Sequence, residues 1–361
     1  MSIRSELSTS ISQYLQDGVV IPAHPLALTQ DLQLDEKRQR LLTQYYIASG
    51  AGGIAVGVHT TQFEIRNPTI NLLEPVLKIA AEEISMAALS RPFIKVAGIV
   101  GPTDQALREA ELAVKYGYHL GLVSNGGLPG YSESDLIKRT EAISQIIPVF
   151  GFYLQPAAGG RLLSYDFWRE LAEIPAVQAI KIAAFNRYQT LDVVRAVCES
   201  SRRNDIALYT GNDDNIVADL LTTYRFSVDG APVEKRFVGG LLGHWAVWTT
   251  KAVTLLNEIK QCIAANYQGT EKLLTKGVEI TDMNAVIFDA KNAFRGCIPG
   301  IHEILRRQGI LAGRWCLDVH EELSPGQMEE IDRIYNAYPS YNDDKFVKIF
   351  LESGKKILQA G

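Results

Sequence analysis

The chain has 361 residues, 47% of them hydrophobic and 21% charged, and 36 Lys and Arg against 41 Asp and Glu leave a formal net charge of −5. A chain of this length buries roughly 75% of the surface its unfolded form exposes, so its core needs neither disulfides nor metal. Mild acidity and scattered basic residues argue against a nucleic-acid partner, which needs a concentrated basic face. A membrane partner is not expected either: the longest apolar stretch, Ile47 to Val58, is broken by glycines and falls short of the roughly 20 residues of a spanning helix.

The first residues, Met1 to Gly18, lack the apolar run of a secretory signal. Four widely separated cysteines, Cys198, Cys262, Cys297 and Cys316, show no paired spacing and read as reduced core fillers, which points to a cytoplasmic location. Eight short runs rich in Val, Ile and Gly then follow in chain order: Val19 to Leu28, Gly53 to His59, Phe93 to Val100, Leu120 to Ser124, Pro148 to Leu154, Val177 to Ala183, Ile206 to Thr210 and Arg236 to Gly243. Between them lie segments of helical period, such as Thr103 to Gly117 and Ser132 to Ile147. Helix-start signals stand at Pro102-Thr103-Asp104, Ser132-Glu133-Ser134-Asp135 and Ser164-Tyr165-Asp166.

Strand–helix alternation of this kind predicts an α/β protein built on a parallel sheet, and eight such units in about 265 residues match a closed (β/α)8 TIM barrel. An open doubly wound sheet would carry G-x-G-x-x-G after its first strand, where His24-Pro25-Leu26-Ala27 stands instead. Beyond Tyr267 the pattern is helical, with Asp282 to Ala293, Ile301 to Gln308 and Pro325 to Ala337 as predicted helices. The expected organisation is therefore a barrel over residues 1–265 and a C-terminal helical extension over 266–361. Arg306, Arg307 and Arg314 of the extension read as a solvated surface.

Reactive groups of such barrels lie at the carboxyl ends of the strands. Lys181 sits in the apolar run Ala179-Ile180-Lys181-Ile182-Ala183, where burial would lower its pKa from about 10.4 and free a nucleophilic amine able to form a Schiff base. The plain alternative is a lysine that snorkels to solvent or pairs with a carboxylate. Tyr153, on the preceding run, is a candidate proton relay beside that amine, or a core tyrosine.

These residues resemble the dihydrodipicolinate synthase/N-acetylneuraminate lyase family of lysine-imine aldolases, over most of the chain. Val20-Ile21-Pro22-Ala23-His24-Pro25 followed by Leu34-Asp35 is similar to the family's first strand and helix start, Tyr153 with Pro156 and Gly160 to its Y-x-x-P-x-x-x-G strand, and Ala179-Ile180-Lys181 to its lysine strand. The separation 181 − 153 = 28 is the family's own, and Thr210-Gly211-Asn212-Asp213-Asp214 is similar to the motif that ends its seventh strand. The resemblance implies Lys181 as Schiff-base nucleophile, Tyr153 as relay, Thr61 joining that relay, and Thr60 with Thr61 holding the carboxylate of pyruvate or another 2-keto acid. No cofactor is implied, and a homo-oligomer, tetramer or dimer, is.

Departures accompany the matches. The family's G-T-T-G-E reads His59-Thr60-Thr61-Gln62-Phe63, the loop Ser124-Asn125-Gly126-Gly127-Leu128-Pro129 lacks the tyrosine that reaches a neighbouring subunit, and the arginine for the second substrate falls at Ala158, with Arg161 as its stand-in. An acceptor or keto acid other than that of dihydrodipicolinate synthesis is therefore expected. His59, His244 and Asn125 are candidate substrate contacts, although Asn125-Gly126-Gly127 by itself reads as a tight turn. Asn212 to Asn215 reads as a helix start, and Trp245 and Trp248 as an apolar wall or core packing.

Other reaction classes remain on the page. A 2-keto-3-deoxy acid dehydratase would use the same imine, and a keto-acid-binding barrel without turnover would keep the pocket alone. A metal-dependent hydrolase would use His24, His59, His244 and Asp213, but it lacks the H-x-H pair such barrels carry on the first strand, and no metal is expected.

Overall fold

The structure is a computed structural model and describes residues 6–359. Eight parallel strands form the predicted barrel: β1 (Val20–Pro22), β2 (Gly53–Val56), β3 (Ile94–Ile99), β4 (Leu120–Val123), β5 (Val149–Leu154), β6 (Val177–Ala183), β7 (Ala207–Thr210) and β10 (Phe237–Leu242). They run in the order β1-β10-β7-β6-β5-β4-β3-β2, and a parallel bridge between Ala23 and Ala55 joins the two ends. The first strand stops well before the predicted Leu28. Pro22 and Pro25 lack the N–H a ladder needs, and His24 adds a single bond to the ladder, N to Ala55 O at 2.8 Å.

Crossover helices α2 (Glu36–Ala48), α3 (Leu73–Met86), α4 (Thr103–Lys115), α5 (Glu133–Ser144), α6 (Tyr165–Glu173), α7 (Arg187–Glu199), α8 (Ile216–Leu221) and α9 (Thr249–Ala264) surround the strands. Their starts follow from local chemistry. Ser132 and Asp135 form a reciprocal capping box on α5, and Ser164 Oγ accepts from Phe167 N at 3.2 Å on α6. On α4 the capping position falls on Pro102, which offers no side-chain acceptor.

Side chains on each strand alternate between the lumen and the helix layer. Along β6, Ala179, Lys181 and Ala183 face inward, while Ile180 and Ile182 pack outward in the main core. Of the N-terminal stretch discussed above, residues 1–5 lie outside the described range, and Thr9–Asp17 forms α1. Ile11 and Leu15 of α1 join the lumen cluster, and Tyr209 Oη donates to Leu15 O at 2.9 Å. This helix closes the amino-terminal end of the barrel, so the lumen opens at the other.

Between the seventh and eighth barrel strands lies a hairpin absent from the sequence reading, β8 (Tyr224–Val228) and β9 (Ala231–Lys235). Its signal is present in Asp229-Gly230, both with positive φ (50° and 80°), flanked by alternating half-buried and exposed residues. The C-terminal segment forms α10 (Thr270–Ile287), α11 (Cys297–Arg307), α12 (Gln327–Ala337) and α13 (Asp344–Gln359), of which α13 has no counterpart in the sequence reading. Arg306, Arg307 and Arg314 are not a free surface. All three converge on the carboxylate of Glu303, which is fully buried and whose charge needs compensation. Cys198, Cys262 and Cys316 are buried as expected, whereas Cys297 is half-buried at the cavity described below. Among the described residues no helix is long and apolar enough to cross a membrane.

One buried ion pair fixes the loop after β2. Arg66 Nε meets Glu109 at 2.9 Å, and its Nη2 donates to Gly57 O at 2.8 Å and Gly98 O at 3.0 Å. Arg66→Ala strands the Glu109 carboxylate and is expected to cost about 3–5 kcal/mol. Urea unfolding checks this; a loss under about 1 kcal/mol would show that the pair does not hold the loop.

Candidate active site

Lys181 rises through the lumen between two alanines, and it has room because Gly211, at the end of β7, has no side chain. A Cβ at Gly211 would lie 2.5 Å from Lys181 Cε. Only 8% of Lys181 is exposed, and its Nζ lies 4.5 Å from the centroid of the Phe152 ring without a direct ion pair among the described residues. Burial lowers its pKa to about 8, against the smaller opposing pull of the Asp213 charge. Burial therefore leaves far more of the amine free at neutral pH than an unperturbed lysine would have.

Asp213 stands opposite. It is buried, its Oδ1 accepts His244 N at 3.0 Å, and Asn284 Nδ2 donates to its main-chain oxygen at 2.7 Å. Burial raises its pKa to about 7, with the His244 N–H and the Lys181 charge pulling back. The loop is pinned by Asp219, whose Oδ2 accepts from Thr210 Oγ1 and Asn212 Nδ2, both at 2.8 Å. The helix-start reading of Asn212 to Asn215 is thereby corrected. Only Asn215 sits at the cap of α8, without a side-chain capping bond, and the Asp213 carboxylate faces the lysine cavity instead.

The cavity above Lys181 holds about 270 Å³. His59 and Thr60 border it from the turn after β2, Phe152 and Leu154 from β5, and Phe294, Arg295, Cys297 and Glu321 from the C-terminal segment. The His59 ring is held neutral, near pKa 4, by burial and by the Lys181 charge. Glu321 is pushed up to about 7 by burial and by its acidic neighbours Glu64 and Asp318. Arg295 is exposed at the mouth and has no ion-pair partner among the described residues. A second cavity of about 380 Å³, floored by Gly101, Gly126, Gly127 and Gly159, shares His59, Ala158 and Glu321 with the first.

Of the sequence candidates, the structure brings Lys181, His59 and Thr60 together and leaves the others elsewhere. Tyr153 is the main correction. Phe152 is paired in register with Lys181 and Tyr153 with Ile182, so Phe152 faces the lumen and Tyr153 the helix layer. The Tyr153 ring packs 5.1 Å from Trp168 between centroids, and its buried hydroxyl has no hydrogen-bond partner among the described residues. Thr61 Oγ1 is spent on its own turn, accepting from Gly57 N at 3.0 Å and Val58 N at 3.2 Å and donating to His24 O at 2.7 Å.

Arg161 donates to Leu128 O at 3.2 Å and Tyr131 O at 3.0 Å, holding a loop and not the cavity wall. Asn125 is buried at the end of β4, and neither it nor the His244 side chain lines the lysine cavity; His244 contributes its backbone N–H to Asp213. His24 is a core residue, its ring bonded to Pro25 O at 2.8 Å and Thr43 Oγ1 at 2.9 Å. Among the described residues no three His, Cys, Asp or Glu side chains gather as a metal site. Phe152, Arg295 and Glu321 were not among the sequence candidates, and Asp213 was one only as a metal ligand. Asp213 alone had a signal, in the Thr210-to-Asp214 motif.

No protein-family model matches the chain, and no curated protein matches it in sequence. Solved structures do match in fold. Dihydrodipicolinate synthase from Oceanobacillus iheyensis superposes with a TM-score of 0.73 at 18% identity, over 91% of this chain and 98% of that one. N-acetylneuraminate lyase from Fusobacterium nucleatum, complexed with pyruvate, gives 0.69 at 18% identity, over 90% and 98%. CdNal from Clostridium difficile, in complex with mannosamine, gives 0.69 at 15% identity, over 89% and 99%. The chain is a (β/α)8 barrel with C-terminal helices. Its fold is that of the dihydrodipicolinate synthase and N-acetylneuraminate lyase structures.

The Lys181–Asp213 pairing makes a signed forecast. Asp213→Asn removes the charge that favours the ammonium, so the Lys181 pKa falls further and the midpoint of its labelling by a small amine-reactive reagent moves to lower pH. A midpoint that stays or rises would show that Asp213 does not act on Lys181.

Proposed function

We propose that the protein is a Schiff-base lyase or aldolase acting on pyruvate or another 2-keto acid, with Lys181 as the nucleophile. The observation that carries this reading is a buried amine with no ion-pair partner among the described residues at the floor of a closed-bottom cavity, where desolvation lowers its pKa. The fold neighbours supply the reaction class, since one of them was solved with pyruvate.

In the proposed sequence, neutral Lys181 Nζ attacks the ketone carbon and the proton that Nζ loses passes to the carbonyl oxygen, giving a neutral carbinolamine. Protonated Asp213, the group nearest in role to the missing phenol, donates a proton to that hydroxyl; water leaves and a protonated imine forms. The iminium then accepts the electron pair released when a bond at the adjacent carbon breaks, or stabilises the nucleophile when that bond forms. Arg295 takes the substrate carboxylate in the role first given to Arg161, and Thr60 keeps the carboxylate role the resemblance gave it with Thr61, turning its hydroxyl away from His24 O, to which Oγ1 donates at 3.3 Å. His59, neutral, offers a ring nitrogen to the reacting arm of the substrate. The location of this cavity at the carboxyl ends of the strands supports the assignment.

A keto-acid-binding barrel without turnover is the second reading, and the observation that favours it is the apolar Phe152 over the lysine where a proton relay was expected. Borohydride with pyruvate tests the main reading: a reduced adduct forms on Lys181 in the wild type and none in Lys181→Arg. Tight pyruvate binding with no adduct would overturn it and leave the binding barrel.

The proton route has its own test. Tyr153→Phe is expected to keep the trapping rate within about 3-fold, whereas Asp213→Asn lowers it by roughly 10²-fold, the usual worth of a positioned acid–base group. The reverse order would return the phenol to the lumen.

A further inference from the structure

Arg139, on α5, is 1% exposed, yet both of its terminal nitrogens, Nη1 and Nη2, lack any hydrogen-bond partner among the described residues. Its single bond is Nε to Gly101 O at 2.8 Å. Arg66, by contrast, pairs with a carboxylate, Glu109, although its Nη1 has no partner among the described residues. The carboxylates near Arg139 are already committed. Asp135 Oδ2 accepts from Ser132 N at 2.9 Å and Ser132 Oγ at 2.6 Å, and Glu109 accepts from Arg66, Gln105 and Val100 N. An unpaired buried guanidinium is expensive, and burial lowers its pKa only to about 10, so it remains charged at neutral pH.

Arg139 borders a cavity of about 340 Å³ together with Lys138, Tyr131, Asp135, Gly130 and Thr103. Thr103 is the first residue of α4, the 13-residue helix whose cap position holds Pro102, so no capping side chain accepts from its first-turn amides and only Thr103 N has a side-chain acceptor, Tyr131, among the described residues. Tyr131 Oη accepts from Thr103 N at 3.3 Å, which leaves the phenolic proton free to donate. Lys138 is exposed on the same rim.

We propose that this cavity binds a phosphate group, held by the Arg139 guanidinium fork, the Lys138 ammonium, the Tyr131 hydroxyl and the first-turn amides of α4 that follow Thr103. A tetrahedral dianion suits donors that arrive from several directions, and a helix N-terminus adds favourable field. The site lies outside the Lys181 cavity, but Gly101, which Arg139 holds, floors the second cavity that adjoins it. The phosphate is therefore either free inorganic phosphate or the end of a longer substrate whose keto group reaches Lys181.

Calorimetric titration of the full chain with inorganic phosphate, in a phosphate- and sulfate-free buffer with sodium chloride holding ionic strength, tests this. The expected result is saturable binding of one phosphate per chain, weakened at least 10-fold in Arg139→Met and several-fold in Lys138→Ala. Arg139→Met should melt no lower than wild type without phosphate, since it removes an unpaired buried charge, and phosphate should no longer raise its Tm. If Arg139→Met does not fold, Lys138→Ala, at an exposed position, carries the comparison. No saturable binding by the wild type, or unchanged affinity in the variants, overturns the proposal. Repeating the pyruvate–borohydride reaction with phosphate present separates the sources: competitive slowing of the adduct assigns a substrate end, an unaffected adduct assigns the free ion.

Discussion

Holding an ammonium inside an apolar barrel without a counter-ion in contact is the constraint around which this structure is arranged. Desolvation pushes Lys181 toward its neutral form. The Asp213 charge and the face of Phe152, a cation–π contact worth up to about 2 kcal/mol when dry, push the other way and do not prevail. The same burial raises Asp213, so the pair meets in the range where both can exchange protons near neutrality. This balance requires a lumen free of bulk water, which α1 provides at the closed end with Ile11 and Leu15.

The open end is shaped by backbone held in uncommon conformations. Gln62, Phe185, Asp289, Ala293 and Phe294 all have positive φ without being glycine, and all lie on segments at or beside the two joined cavities. Each such residue costs of order 1 kcal/mol and persists only where its surroundings over-determine it. Here the surroundings are visible. Asp289 accepts from Gly296 N at 3.0 Å and from Ser324, and Gln327 donates to the carbonyls of Val286, Ile287 and Gly296. The C-terminal helices thus fix where Phe294 and Arg295 meet the cavity, and Phe294 packs against Phe185 beyond the end of β6.

Much of the scaffold was legible in the chain because strands and helix starts are written locally. The eight barrel strands, the capping box at Ser132 and the cap at Ser164 all depend on residues within a few positions of one another. The signal of the hairpin at Asp229-Gly230 is equally local, a positive-φ turn between alternating residues. Tyr153 is a different kind of miss. A 28-residue spacing counts positions but not faces, and the register shift between Val149 and Phe150 decides which of two adjacent residues looks inward. Thr61 and Arg161 failed for another reason: their polar atoms were claimed by backbone groups of nearby turns, which a motif does not reveal.

By itself the sequence determined the eightfold strand–helix alternation, the helical C-terminal segment and the lysine placed in an otherwise apolar strand, because apolar periodicity and the cost of burying charge act through near neighbours. Only the tertiary structure decided that Phe152 and not Tyr153 stands beside that lysine, that Asp213 faces it, and that Arg295 and Glu321, more than a hundred residues further along, complete its cavity. Those outcomes depend on strand register and on which distant surfaces pack together, and neither is encoded in the spacing of residues along a single segment.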